Sequence, residues 1–248
     1  MRRSRTGSVV RFVGLALAVA LGRDALAAPK NIKTCTMIPD SGSYVLTANL
    51  SAAGDCLVVA ADFVTIDLNG FTIAGNGSGS GIRSDGDFRQ GIRITNGTIR
   101  GFQTGVDFAF TGAQITVERL HVIGNSNVGI GVNQQALVKD CVLAENGDGI
   151  NVGARSLLTG NDSSFNTASG IAAGVGSTII GNTVGVNGNN GLVAGNSSTV
   201  LNNTAQVNGN FGLHVTCPSN VLGNTATNNG TNLFLSGAGC NNSNNVAP

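Results

Sequence analysis

An asparagine recurs at Asn125, Asn146, Asn166, Asn187, Asn208 and Asn229, in steps of 21, 20, 21, 21 and 21 residues. Other columns keep the same step. Gly149-Ile150, Gly170-Ile171, Gly191-Leu192 and Gly212-Leu213 form one. Val117, Val138, Leu158, Ile179, Val200 and Val221 form another, and Leu120, Cys141, Asn161, Asn182, Asn203 and Asn224 a third. A fixed period of this size means that each repeat is one structural unit, unable to bury its apolar face alone, so that neighbours must stack.

The residues inside each period say what the unit is. Asn and Gly are poor helix formers, and the β-branched residues beside them favour strands. Val64, Ile66 and Leu68 alternate with Thr65 and Asp67, the period of a half-buried strand, and Asn69-Gly70 then turns the chain. Gly81-Ile82, Ile92, Ile94, Asn96-Gly97 and Ile99 repeat that order in the next coil. Three short apolar bursts in about 21 residues predict an all-β fold: a single-stranded right-handed parallel β-helix of three-strand coils. The Gly-Ile column from Val58 to Leu233 gives about nine coils, a rod of about 40 Å at strand spacing. The Leu-x-x-Leu-x-Leu signature of leucine-rich repeats, which have a similar period, is absent. Where Ile180, Leu201 and Leu222 replace Glu118, Lys139 and Thr159 in one column, a one-residue bulge that shifts the alternation is anticipated.

The flanks read differently. Arg2, Arg3, Arg5 and Arg11 precede an apolar run from Phe12 to Leu21, and Ala25-Leu26-Ala27 supplies an A-x-A site. Residues 1–27 are therefore expected to be a secretory signal peptide, the run being too short to span a bilayer. Residues 28–56, interrupted by Pro29, Pro39, Gly42 and Gly54, read as an N-terminal cap, 57–240 as the β-helix, and 241–248 as a polar C-terminal tail. An exported chain keeps disulfides. Cys35 with Cys56 and Cys217 with Cys240 bracket the two ends of the repeat region and are expected to pair. Cys141 falls in a core column and reads as a buried free thiol.

Charge narrows the partners. Removing residues 1–27 takes away five of the 14 basic and one of the 13 acidic residues, leaving nine and twelve, a formal net of −3. That surface offers no basic patch for nucleic acid or anionic lipid, and no membrane span is expected. After Asp162 the chain holds no Asp, Glu, Lys or Arg. General acid–base chemistry needs groups with tunable pKa, so any catalytic centre must lie within residues 57–162.

The sequences Gly212-Leu213-His214-Val215, Asn224-Thr225 and Leu68-Asn69-Gly70-Phe71-Thr72-Ile73 resemble the right-handed parallel β-helix repeats of the pectin-lyase-like superfamily. The resemblance covers about residues 57–235. It implies the fold and leaves the activity open among pectate lyases, polygalacturonases, alginate epimerases and phage tailspikes. It also implies where a site would be built, on the outer face of one strand stack.

With the Gly-Ile strand as that stack, Ile82, Val106, Ile130, Ile150 and Ile171 point inward and their successors outward. The outward column reads Arg83, Asp107, Gly131, Asn151, Ala172, Val193 and His214. Two residues further on it reads Asp85, Ala109, Asn133, Gly153, Gly174, Gly195 and Thr216. Arg83, Asp85 and Asp107 are the candidate catalytic residues, and Asn133 and Asn151 candidate binding residues. In a hydrolase the two carboxylates would act as acid and base. In a lyase they would hold Ca²⁺ while the arginine takes the proton, the one reading in which a cofactor enters. Against catalysis, Arg83 and Asp107 also suit a plain surface ion pair, and the acidic clusters of polygalacturonases and pectate lyases are missing. Glu118 and Lys139, 21 apart, are expected to pair. No zinc spacing, phosphate loop or nucleophile motif occurs. His121 and His214 stand alone in their columns, so no metal site is expected, and this argues against a periplasmic metal-related β-helix. The sequence thus favours a secreted or periplasmic module that contacts glycans or cell-surface partners without catalysis. The alternative is a polysaccharide lyase or hydrolase of acidic glycans.

Overall fold

The computed structural model describes residues 28–248; the expected signal peptide at 1–27 lies outside them. The described residues contain 29 short strands and no helix. They wind into a right-handed parallel β-solenoid of ten turns. One wall, here sheet 1, takes one strand per turn along a path of ten strands from Thr36–Ile38 to Thr231–Ser236, with Arg89–Gln90 as a short side strand. The other wall, sheet 2, has eighteen strands and takes two per turn, as with Leu157–Thr159 and Asp162–Ser164.

The turn count exceeds nine because residues 28–56, expected as a cap, themselves supply stacked strands. Thr36–Ile38 pairs with Leu57–Val59, and Gly42–Leu46 with Val64–Asp67. Residues 241–248, expected as a tail, pair through Asn241–Ser243 with Asn220–Leu222 and through Val246 with Thr225. The anticipated bulge does not occur. Lys139, Thr159, Ile180, Leu201 and Leu222 stay in unbroken register, and the three aliphatic residues point outward, half-buried against one another.

The register converts the sequence columns into stacks. Ile82, Val106, Ile130, Ile150, Ile171, Leu192 and Leu213 lie one above another with no exposed surface. The turns are braced by polar ladders. Asn166 donates from both its backbone N and its Nδ2 to Asn187 Oδ1, each at 3.0 Å, and Asn187 does the same to Asn208 Oδ1 at 3.1 and 2.9 Å. A backbone N–H can only donate, so Oδ1 must face it, and Nδ2 is left free to reach a carbonyl. It does so in Asn187, bonding Ser163 O at 3.0 Å. A second ladder runs from Asn161 to Asn245, and a third of serine hydroxyls joins Ser156, Ser177, Ser198 and Ser219. Among the described residues no buried side-chain polar atom lacks a partner, as burial of amides requires.

The ladder also explains the glycine before each inward Ile or Leu. A Cβ on Gly191 would stand 2.6 Å from Asn208 Nδ2 and 2.6 Å from Gly212 O, where nothing can yield. The predicted bridges Cys35–Cys56 and Cys217–Cys240 are both formed, one at each end. Such bonds persist in oxidising, extracytoplasmic compartments. No helix of the described residues is long and apolar enough to cross a membrane.

Candidate functional site

The outer face of sheet 1 is set by strand alternation. With the Ile and Leu stack inside, register brings Arg83, Asp107, Gly131, Asn151, Ala172, Val193, His214 and Phe234 into one outward file. Small residues dominate its middle, where Asn151 is exposed and Asn133 half-buried. Chemistry is confined to the two ends.

At the N-terminal end Arg83 and Asp107 are register partners. Arg83 Nε bonds Asp55 Oδ2 of the preceding turn at 2.6 Å, and its Nη1 donates to Ser84 O at 2.6 Å. The guanidinium is thus held rigidly with Asp107 beside it. Asp107 has a long contact to Ser80 Oγ at 3.5 Å and is the least engaged carboxylate there. Beyond it the strand Thr104–Ala113 loses regular register between Phe108 and Ala113. The irregularity throws Phe110 outward, 90% exposed. Arg83, Ser84, Gly86, Asp107, Phe110 and Thr111 line a shallow pocket of about 150 Å³, with Ser84 Oγ and Thr111 Oγ1 bonded at 2.6 Å on its wall.

Asp85 does not join this pair. The pairing of Ser80–Ser84 with Thr104–Ala113 ends at Arg83–Asp107, and on the other side the strand ends at Ser84, paired with Val59, so Asp85 has no register partner in the following turn. Asp85 is gripped by Arg89 through both oxygens, one contact being Nε to Oδ1 at 2.9 Å. The Arg89 hydrogen bond holds the Asp85 carboxyl below the usual carboxylate range. A carboxylate so committed is a poor proton donor. The pocket therefore offers one free carboxylate, one fixed cation, hydroxyls and an exposed ring, which is the equipment of a binding site rather than of an acid–base pair.

At the C-terminal end the face carries rings. Phe211 and Phe234 stack with centroids 4.8 Å apart at 14°, and His214 lies 5.1 Å from each. His214 and Phe234 share the outward column, Phe234 one turn beyond the last residue that the sequence pattern assigns to it, whereas Phe211 belongs to the column of Thr231.

A charged cluster on sheet 2 braces the scaffold. Glu118, on the outer side of sheet 2, has a side chain only 3% exposed and meets three cations: Arg93 through a short hydrogen bond, Arg119 at 3.2 Å and Lys139 at 3.5 Å. The expected Lys139 pairing is thus one of three. Burial alone would raise the Glu118 carboxyl. The Arg93 hydrogen bond and the charges of Arg93, Arg119 and Lys139 outweigh it and hold the group below its ordinary value. A depressed folded pKa gives stability that is present above the unfolded carboxylate range and lost as pH falls through the folded pKa. Glu118→Gln should therefore cost about 1 kcal/mol near pH 7, since its partners can rehydrate, and nothing in strong acid. Urea titrations at several pH values check this.

Cys141 is a free, buried thiol bonded to Lys139 O at 3.3 Å, and burial pushes it up to about 12. It is inert at neutral pH. His121 is exposed on sheet 2. The soft or imidazole donors among the described residues are His121 on sheet 2, His214 on sheet 1, Met37 on the first turn and buried Cys141. Among those residues no three His, Cys, Asp or Glu side chains gather where they could hold a metal ion.

A family model described as "Periplasmic copper-binding protein (NosD)" matches residues 64–247. No curated protein sequence matches significantly. Among solved structures, the mannuronan C-5 epimerase AlgE6 A-module of Azotobacter vinelandii is similar at a TM-score of 0.67 and 20% identity, over 79% of this chain and 64% of that one. This chain thus spans slightly less than two thirds of that module. The periplasmic alginate epimerase AlgG aligns at 0.47 and 13% identity, over 81% of this chain and 61% of that one. The Dettilon tailspike protein (gp208) aligns at 0.43 and 10% identity, over 83% and 60%. At such identities the likeness to the AlgE6 module is one of fold.

Proposed function

This chain belongs to the NosD family, and we propose that it is an extracytoplasmic β-helix module that binds polysaccharide along the outer face of sheet 1 without transforming it. The observation that carries this reading is the pocket lined by the register neighbours Arg83 and Asp107, which form no ion pair because Arg83 is taken by Asp55, and by the 90%-exposed ring of Phe110. An exposed aromatic ring on a polar floor fits a sugar, whose ring has apolar C–H faces and a polar edge. Carboxylates that would otherwise complete an acid–base pair are engaged elsewhere, Asp55 with Arg83 and Asp85 with Arg89. The two disulfides fit a periplasmic or secreted location. The AlgE6 module, by its name, acts on mannuronan on the same fold.

Copper, which the family description mentions, finds no fitting donor set among the described residues. Copper takes imidazole, thiolate and thioether ligands gathered in one place. Among the described residues they are dispersed over two sheets, and the Cys141 thiol is buried and its pKa raised.

The Arg83–Asp107 pair keeps a second reading alive, a lyase or hydrolase of acidic glycans, with Ca²⁺ entering only for the lyase. Both are separated by incubating the protein with pectate, alginate and neutral glucans, with and without Ca²⁺, while following binding, unsaturated products and new reducing ends. The proposal predicts binding that Phe110→Ala weakens about tenfold, a loss of about 1.4 kcal/mol, with no product formed. Turnover that disappears in Asp107→Asn would establish the enzyme instead.

A further inference from the structure

We infer that the same face carries a second contact site at its C-terminal end, built on Phe211, His214 and Phe234, for an uncharged sugar ring of a neutral polysaccharide. The inference rests on the glycan-binding reading of sheet 1 and adds a place and a ligand class to it.

The fold does not need these rings. The inward positions of the two strands are filled by Leu213 and Val215 and by Leu233 and Leu235. Phe234 stands on the outward file above His214 and remains 40% exposed. It stacks near-parallel on Phe211, so that each ring covers one face of the other and the pair leaves its remaining ring surface open, with the imidazole tilted along one side. Hydroxyls edge it: His214 Nε2 and Ser236 Oγ are 3.2 Å apart, and Ser236 Oγ reaches Thr216 Oγ1 at 3.4 Å. Exposed aromatic surface with a few convergent polar groups is how proteins hold small amphipathic rings.

Charge selects the ligand class. The last charged side chain is Asp162, and none follows through the remaining turns. A uronate carboxylate or a phosphodiester would find no lysine or arginine here, so polyanions gain little from this surface. A neutral hexose loses nothing. Asp107 and Phe234 are six register steps apart along the file, about 29 Å at strand spacing. The two ends are therefore separate contacts with different chemistry, one charged and one not.

The chain has no tryptophan, so Phe234→Trp keeps a ring at the site and supplies a unique reporter. Titration with cellohexaose or mannohexaose should change its emission saturably, and hexagalacturonate should not. Adding Phe211→Leu should weaken neutral-sugar binding at least tenfold. Two results overturn the site. In one, Phe211→Leu lowers the melting temperature but leaves neutral-sugar affinity unchanged, which makes the rings a structural pair. In the other, calorimetry detects hexagalacturonate binding that Phe110→Ala weakens, while neutral sugars leave the reporter silent; the glycan-binding reading then survives without this site. If calorimetry detects no binding of either sugar class, both proposals fall.

Discussion

Asn187→Ala is expected to lower the unfolding free energy by about 3 kcal/mol, against almost no change for Asn189→Ala two residues away. The two side chains differ only in where they point. Asn189 is exposed, whereas Asn187 is buried in the ladder. Truncation removes the acceptor of Asn166 N and the shortest acceptor of Asn166 Nδ2, and strips Ser163 O of the Nδ2 donor. Each buried group left unpaired costs about 1–3 kcal/mol, more than the bond is worth when made. The Asn166 amide keeps only its longer contacts to Ser163 Oγ at 3.2 Å and Leu143 O at 3.4 Å, which tempers the loss. Asn208 Oδ1 still accepts from the backbone N of residue 187. Chemical denaturation of both variants, compared at constant m-value, reads the difference. Equal stabilities would mean that the amides are not stacked.

Removing the bridge at the C-terminal end has an effect of similar size but a different distribution. The Cys217–Cys240 bond closes a loop of 23 residues, and such a loop restricts the unfolded chain by about 3 kcal/mol. It ties the strand Phe211–Thr216 to the last turn, whose inward Leu233 and Leu235 are only partly covered. A solenoid transmits stability between nearest neighbours. The Cys217→Ser, Cys240→Ser double variant should therefore fray from its end. Hydrogen exchange should accelerate first in Thr231–Ser236 and Asn241–Ser243 and leave the turns around Ile150 and Ile171 protected. Uniform acceleration along the rod would show instead that the bond supports the whole fold.

Much of this architecture was readable because a stacked coil writes its contacts into the sequence period. Asn125 to Asn229 recur because each amide must meet its own kind one turn away, and Gly precedes Ile because the ladder amide passes where a Cβ would stand. The serine ladder was less visible, since Ser156, Ser177, Ser198 and Ser219 are common turn residues and carry no apolar signature. The first and last turns escaped because prolines and polar residues blur the period there.

At the site the legible part ends where regular alternation ends. Arg83 and Asp107 were placed side by side by counting in twos from Ile82 and Val106, and the register agrees. Asp85 was carried one step too far along that count; it has no register partner in the following turn and finds Arg89. Phe110 sits in the irregular part of its strand, where periodicity carries no information. Arg93 reaches Glu118 from a neighbouring column, whereas Lys139 shares the Glu118 column and was found. His214 and Phe234 share one column, but Phe211 joins them diagonally from another, a relation that no single column records.

Hydroxyl-radical footprinting of the protein with and without a polysaccharide that it retains tests most directly whether sheet 1 is the working face. The expected result is protection of Phe110, with Phe165, exposed at a turn that follows sheet 2, labelled equally in both states. Unchanged labelling of Phe110, or protection of Phe165 in its place, would contradict the account.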